Sequence, residues 1–204
     1  MTEPVVGWRL WRLRAGHLLS WAVDYCWEPG ENHARCIAHG RSACIASPGQ
    51  YCQCGIWAVW SPRDCRERAR TAAADRSEHV LGLIVGWGTV AVHGREGFRA
   101  EWAAIRCLFT NRPSTLAART IGSNLFGWWP RGSGQAPADH LGEPGIDPPR
   151  WDALHSVAAR YGVPLVSLRK AVGMGLLGEM GIPRKHIAEA GRLTGLALED
   201  ESLS

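Results

Sequence analysis

The chain has little lysine, phenylalanine and tyrosine. Only two of its 23 basic residues are lysines, and Phe and Tyr occur three times each against 11 tryptophans. Arginine therefore supplies nearly all the positive charge, and its planar guanidinium favours bidentate contacts to phosphate or carboxylate. Tryptophan, a large apolar ring with a polar N–H, replaces the usual Phe-rich core. With 46% hydrophobic and 21% charged residues, the 204-residue chain has a globular composition, which excludes disordered and fibrous proteins.

Long apolar runs are also absent. The longest such stretch, residues 80–92, contains three glycines and is too short to cross a bilayer. Arg9, Arg12 and Arg14 interrupt the apolar positions of the first 23 residues, so no secretory signal is predicted. Seven cysteines in a chain without an export signal favour thiols or a metal site over disulfides. We therefore expect a cytoplasmic protein without a membrane segment.

No catalytic signature is specific enough to name a reaction. Three Gly-x-Gly runs occur, but none continues into the dinucleotide-binding pattern between a strand and a helix. No serine stands in a nucleophile elbow. His93 and Glu101 face each other across a predicted hairpin as candidate acid–base partners, although an exposed polar pair is the commoner arrangement. The sequence therefore favours a non-enzymatic function.

The periodicities predict an α+β fold with an antiparallel sheet, a metal-stapled Cys-rich loop and a helical C-terminal appendage. Strands are predicted at 7–13 and 18–23 and in a hairpin of 80–93 with 98–105, and a helix is predicted to begin after Ser61. A further helix follows Asp147-Pro148-Pro149. Residues 127–149 contain five glycines and five prolines. The predicted division is a Cys-rich α+β domain over 1–126, a Gly/Pro-rich linker or long loop over 127–149, and a helical appendage over 150–204.

A segment without periodicity contains four cysteines within a stretch of 19 positions: Cys36, Cys44, Cys52 and Cys54. Four thiolates complete a tetrahedral zinc shell, and a loop held in this way needs no apolar core of its own. The sequence therefore predicts a structural zinc site. The spacing differs from the common C-x₂-C knuckle, so free thiols and an iron–sulfur cluster remain alternatives. The alternative ligands are His33, His39 and Cys26.

Two blocks of sequence resemble a group of uncharacterised bacterial proteins. The first contains Cys52-Gln53-Cys54-Gly55-Ile56-Trp57-Ala58, similar to the C-x-C-G-[IL]-Y-A hallmark of that group. The second, with Trp87-Gly88-Thr89-Val90, His93 and Arg99-Ala100-Glu101, is similar to its W-G-x-V…H…G-x-R-A-E block. The resemblance covers roughly residues 20–108 and departs from the hallmark at Trp57, where the group has tyrosine. The group tends to have a histidine near Cys44, and the resemblance implies no activity.

Residues 154–173 fit a helix–turn–helix window. In this interpretation Ser167, Arg169 and Lys170 are exposed on the second helix, where they suit base edges and phosphates. The alternative is a helix that ends at Gly162, followed by a short buried strand at 163–166. Charge counts against DNA, because residues 147–204 are neutral overall and the net charge of +4 lies in residues 1–146.

The leading prediction is a metal-stabilised, non-enzymatic binding module, nucleic-acid-binding or regulatory, with DNA or RNA as the favoured partner. A protein–protein interaction module that uses exposed tryptophans and arginines is the first alternative, and Trp128-Trp129 is its candidate surface. A small metal-dependent hydrolase or nuclease that uses the metal of the cluster is the second.

Overall fold

The computed structural model describes residues 3–36, 44–71, 78–110 and 151–194. These residues form an α+β structure, which confirms the predicted fold class. The strands are β1 Val5–Arg14, β2 His17–Ser20, β3 Glu31–His33, β4 Ile56–Val59, β5 Glu78–His93, β6 Gly97–Thr110 and β7 Leu165–Ser167. The helices are α1 Pro62–Thr71, α2 Trp151–Tyr161, α3 Leu168–Gly173, α4 Leu176–Glu179 and α5 Arg184–Leu193. The predicted linker, both of its boundaries and Trp128-Trp129 lie outside the described residues.

Four of the strands pair in a closed ring. The long hairpin of β5 and β6 is flanked on one side by β1, which pairs with β5 from Val5 to Leu13. On the other side β4 pairs with β6 and reaches back to β1 through a single residue pair, Trp8 with Val59. The ring therefore closes through its shortest strand, and that strand directly follows the cysteine-rich loop.

The remaining strands pair at the outer edges of β1 and β6. One of them, β7, shows that the prediction of a purely antiparallel sheet is wrong. β2 pairs with the end of β1, while β3 and β7 pair with β6 beyond β4. The β6–β7 pairing is parallel. The sheet is therefore mixed rather than antiparallel, because β7 arrives from α2 in the same direction as β6 instead of returning through a hairpin.

Phe98 fills the interior of the ring together with tryptophan. A Cβ atom on Gly7 or on Gly86 would lie 2.7 Å from the Phe98 ring, so these two strands approach it closely only because they carry glycine there. Trp11 and Trp27 are fully buried and meet edge to face, with ring centroids 5.3 Å apart. Trp8, Trp11 and Trp27 are thus the largest fully buried side chains of a core that is otherwise mainly aliphatic.

The C-terminal helices pack into the same cores as the strands. α2 covers the ring interior, where the Tyr161 hydroxyl accepts a hydrogen bond from Leu18 N (3.0 Å) and donates one to Trp27 O (2.8 Å). Helices α3 to α5 pack against the opposite face of β1, around Trp8 and Leu10. The predicted helical appendage is therefore joined to the sheet by packing and by strand β7.

The helix–turn–helix window contains a strand between its two helices. α2 ends at Tyr161, the chain pairs with β6 from Leu165 to Ser167, and α3 begins at Leu168. The alternative interpretation, a glycine stop and a short strand, describes this segment, except that the strand lies at Leu165–Ser167 rather than 163–166 and is only partly buried. Within the part of the chain that the structure describes, no helix has the length and apolar composition needed to span a membrane.

Candidate metal centre

The structure brings the four predicted cysteines together. Cys36 follows β3, and Cys44, Cys52 and Cys54 lie in the loop that precedes β4. Their sulfur atoms all lie within 4.8 Å of one another, and no other group of three or more potential ligands converges among the described residues. β3 and β4 hold the two parts of the site because both pair with β6. The four residues are thus positioned to hold a metal ion.

The sulfur–sulfur distances fit a tetrahedral metal site. Cys36 Sγ lies 3.7 Å from Cys52 Sγ, and Cys54 Sγ lies 3.8 Å from Cys44 Sγ. Four sulfurs at the usual zinc–sulfur distance of about 2.3 Å form a tetrahedron with edges of about 3.8 Å. A disulfide needs a separation of about 2 Å, and none of the seven cysteines of the chain forms one.

Hydrogen bonds to sulfur favour the thiolate form of one ligand. The Gly49 amide donates to Cys54 Sγ over 3.2 Å. Burial alone raises the pKa of Cys54, but hydrogen bonds to its sulfur, that of Gly49 among them, outweigh this effect and lower the pKa to about 7. The hydrogen bond between the Cys44 and Cys52 side chains instead raises the pKa of Cys44. Four adjacent sulfurs cannot all ionise without a cation, and a bound metal supplies that cation.

Gly49 lies against the cluster. A Cβ atom at this position would overlap Cys44 Sγ and lie 3.1 Å from Cys44 Cβ. The backbone of the loop can therefore pass beneath the sulfurs only where no side chain intervenes.

Arg99 braces the loop from β6. Its side chain is 4% exposed, and its guanidinium donates to the carbonyl oxygens of Cys52 and Cys54, the second over 3.0 Å. Nε of Arg99 donates to His93 Nε2 over 2.6 Å, which places the proton of a neutral His93 on Nδ1. The His93 ring stacks on Trp57, with centroids 4.7 Å apart. Two of the four ligands are thus fixed through their own carbonyl groups.

Two of the alternative ligands lie elsewhere, and the third is outside the described residues. His33 stacks on Trp102 and has Nε2 3.9 Å from Glu101 Oε1. Cys26 is exposed, with its sulfur 3.6 Å from His17 Nδ1. His39 lies in the segment that the structure does not describe. The candidate acid–base pair of His93 and Glu101 does not come together either. His93 accepts a hydrogen bond from Arg99, whereas Glu101 lies beside His33.

The residues predicted to contact nucleic acid differ in exposure. Arg169 and Lys170 are exposed on α3. Ser167 is buried and caps that helix, its Oγ accepting from Lys170 N over 3.4 Å. The expected exposure of Ser167 is therefore wrong, because the residue ends β7 and begins α3. Nucleic-acid binding itself stays a prediction.

Two large apolar side chains of the cysteine-rich loop are exposed. Ile45 is fully exposed, and Tyr51 is 95% exposed. Each lies next to a predicted ligand, Cys44 or Cys52. Neither belongs to a core cluster, so these two side chains present apolar surface to solvent beside the sulfurs.

Comparison with known protein families, curated proteins and solved structures finds no match to this chain.

Proposed function

We propose that this chain is a non-enzymatic nucleic-acid-binding module whose fold is stabilised by a structural zinc ion. The observation that carries the metal part is the pair of sulfur–sulfur distances, 3.7 and 3.8 Å, which match the edges of a zinc tetrathiolate. Four sulfur ligands complete the shell and leave no position for a metal-bound water. This donor set favours a structural rather than a hydrolytic role, so the hydrolase or nuclease alternative is not adopted.

Zinc is the metal proposed because the four ligands are soft sulfur donors and two of the sulfur–sulfur distances fit a tetrahedron. Elemental analysis of the purified chain is expected to give one zinc per molecule. A Cys54→Ala variant should lose the metal, whereas Cys26→Ala, which changes an exposed cysteine outside the cluster, should retain it. Iron in place of zinc would overturn the choice of metal, and no metal in the unmodified chain would overturn the proposed site.

The partner is assigned to nucleic acid because of the charge of helices α3 to α5. Residues 168–193 carry five basic residues against two acidic ones, a net charge of +3, and include both lysines of the chain. The five basic side chains, Arg169, Lys170, Arg184, Lys185 and Arg192, are all exposed. Residues 147–204 as a whole are neutral because most of their acidic residues lie outside these helices, three of them at 199–201.

The basic residues of α3 and α5 lie on the outer side of helices that are packed against each other and against the core. α3 and α5 contact each other, and the apolar sides of both helices lie in the core against β1 and Cys65. No acidic residue lies in the first turn of α3 or α5. Arg169 of α3 and Arg184 and Lys185 of α5 lie near a helix N-terminus, where a basic residue does not stabilise the helix, so helix stability does not explain them. Phosphate contacts give these residues a function.

Fluorescence anisotropy with duplex and single-stranded oligonucleotides at several salt concentrations tests this assignment. Binding should weaken as salt rises, and Arg169→Ala with Lys170→Ala should flatten the logarithmic salt dependence by about two. Arg63→Ala with Arg95→Ala removes two exposed charges from other surfaces and should leave the slope unchanged. No binding at low salt, or an equal effect of both pairs, would overturn the assignment.

The second candidate is a protein-interaction module, and Ile45 and Tyr51 are the observation that favours it. Both are exposed on a loop that the metal would hold rigid, and aromatic anchors are enriched at protein interfaces. If Ile45→Ser with Tyr51→Ser abolished recovery of a specific protein partner while the zinc content stayed the same, this second function would replace the first.

A further inference from the structure

Arg99 is a buried cation without an anionic side chain as its partner. Its acceptors are two backbone carbonyls and the imidazole of His93, and no described carboxylate lies within ion-pair distance of it. A charge taken out of water is costly unless a counter-charge or a full set of hydrogen bonds compensates it. A counter-charge on the residues that Arg99 holds would offset this cost.

The cysteine cluster provides such a counter-charge when it binds a divalent metal. Four thiolates and one divalent ion carry a net charge of −2. Arg99 donates to the carbonyls of two of the ligands, Cys52 and Cys54, which places its charge directly beside the centre. A neutral set of four thiols would leave the cation uncompensated. The cation and the metal–thiolate centre thus stabilise each other.

We infer that Arg99 is the positioning residue of the metal centre, fixing the Cys52 and Cys54 ligands through their carbonyls and compensating the charge of the metal tetrathiolate. This inference rests on the proposed zinc site. His93 holds the Arg99 side chain by accepting its Nε–H, and Trp57 packs against both, with the Arg99 Cζ 5.4 Å from the centre of the ring. The support extends from β6 to β5 and β4, so three strands set the geometry of two ligands.

A second buried arginine provides a matched control. Arg9 is 7% exposed, donates to Trp57 O and Ser20 Oγ, and lies on the ring of Trp27. It contacts no ligand of the cluster. Arg9→Met removes a buried cation from the same core without touching the metal centre, so it should lower stability and leave metal affinity unchanged. Arg106→Met removes an exposed charge from β6 and controls for net charge.

The test measures metal affinity by competition with a chromogenic chelator. Arg99→Met should weaken zinc binding about 10- to 100-fold, the range known for residues that support metal ligands. Arg99→Lys keeps the charge and should recover most of that loss. The cobalt-substituted Arg99→Met protein should also show shifted thiolate-to-cobalt charge-transfer bands, because the orientation of two sulfurs changes. A residue that merely fills space would give equal losses for Lys and Met and an unchanged cobalt spectrum.

The outcomes separate this inference from the proposed zinc site. Absence of metal in the unmodified chain would contradict the site itself. Metal binding of equal strength in the unmodified, Arg99→Met and Arg9→Met chains would leave the site intact and overturn the role of Arg99. If Arg99→Met fails to fold, His93→Phe still decides the matter, since it removes only the acceptor of Arg99 Nε and should weaken zinc binding and shift the cobalt bands in the same direction. An unchanged affinity and cobalt spectrum in His93→Phe would overturn the inference.

Discussion

Single residues decide how close the backbone comes to the sulfur cluster. Gly49 passes beneath Cys44 at a distance that excludes a side chain. Gly49→Ala should therefore displace Cys44 and reduce zinc from one equivalent to none, even though alanine adds only one methyl group. Elemental analysis and the cobalt spectrum would measure the loss.

Gly178 of α4 serves as the control for Gly49. A Cβ atom there would meet only Ile187 Cδ1, at 3.7 Å, an ordinary contact. Gly178→Ala should keep the metal and change stability little or raise it slightly. Full zinc content in Gly49→Ala would show that the loop can move aside, contrary to the close approach described above.

The buried thiol of Cys107 should make the stability of the fold depend on pH in the alkaline range. Burial raises the pKa of this thiol from 9.0 to about 12. The folded state therefore keeps the proton up to a higher pH than the unfolded chain does. The resulting stabilisation is complete below about pH 9 and is lost as the pH rises through about 12. Above pH 9 the free energy of unfolding should fall by about 1.4 kcal/mol per pH unit more in the unmodified chain than in Cys107→Ala.

Urea unfolding of both chains between about pH 8 and about pH 10.5 measures this difference in slope. Cys107→Ala should also retain its metal, because the thiol lies in the core near Met180, with the two sulfurs 3.9 Å apart, and not in the cluster. Parallel pH profiles would contradict the proton linkage.

At the residue scale the sequence predicts the ligands but not their support. Four cysteines in a segment without periodicity are visible in the sequence, and their chemistry suggests a metal. Arg99 acquires its role only through the pairing of β4 and β6, which brings residue 99 against residues 52 and 54, and Gly49 only through the folding of the loop against Cys44. An arginine in an alternating strand is expected to face solvent, and the sequence holds no sign that its partner is a backbone carbonyl.

At the scale of elements, the docking of α2 depends on one hydroxyl. Tyr161 Oη makes two hydrogen bonds to backbone groups of Leu18 and Trp27, both buried. Tyr161→Phe removes the acceptor of Leu18 N and the hydroxyl donor of Trp27 O, and it should lower the free energy of unfolding by about 1–3 kcal/mol. Denaturant unfolding measures the loss.

Ser156→Ala on the same helix is the control for Tyr161→Phe. Its hydroxyl donates to Asp152 O over 2.8 Å at an exposed position, where water can replace the bond. The change should stay within about 0.5 kcal/mol. Equal losses in the two variants would show that α2 responds to substitution in general rather than through the bridge to β2.

The segment after α2 shows why the type of a secondary-structure element cannot always be predicted from the local sequence. Ala158, Gly162 and Val163 have the spacing of a helix–turn–helix, and the local pattern alone does not distinguish that motif from a helix followed by a strand. The formation of strand β7 depends on β6, whose edge at Leu108 and Thr110 pairs with Leu165 and Ser167. These partners are more than 50 positions apart in the sequence, so no local periodicity reports the pairing.

At the scale of the whole molecule, the strand pairs that close the ring differ greatly in length. β1 and β5 share nine residue pairs, whereas β1 and β4 share one. β4 begins two residues after the last ligand, Cys54, and β3 ends three residues before the first, Cys36, with both strands paired to β6. The metal would therefore tie together two short strands at the edge of β6, and its contribution to stability should be local rather than evenly spread.

Removal of the metal should open the ring at β4. A ligand that binds only the folded state at about a thousandfold excess over its dissociation constant stabilises it by about 4 kcal/mol, and this contribution disappears when a chelator takes the metal. Hydrogen exchange followed by mass spectrometry, with and without a strong chelator, should show faster exchange in β3 and β4 while the paired β1, β5 and β6 remain protected. The thermal midpoint should also fall. Faster exchange throughout the sheet would mean that the metal supports the entire fold, and an unchanged midpoint with unchanged exchange would mean that the cluster holds no structural metal.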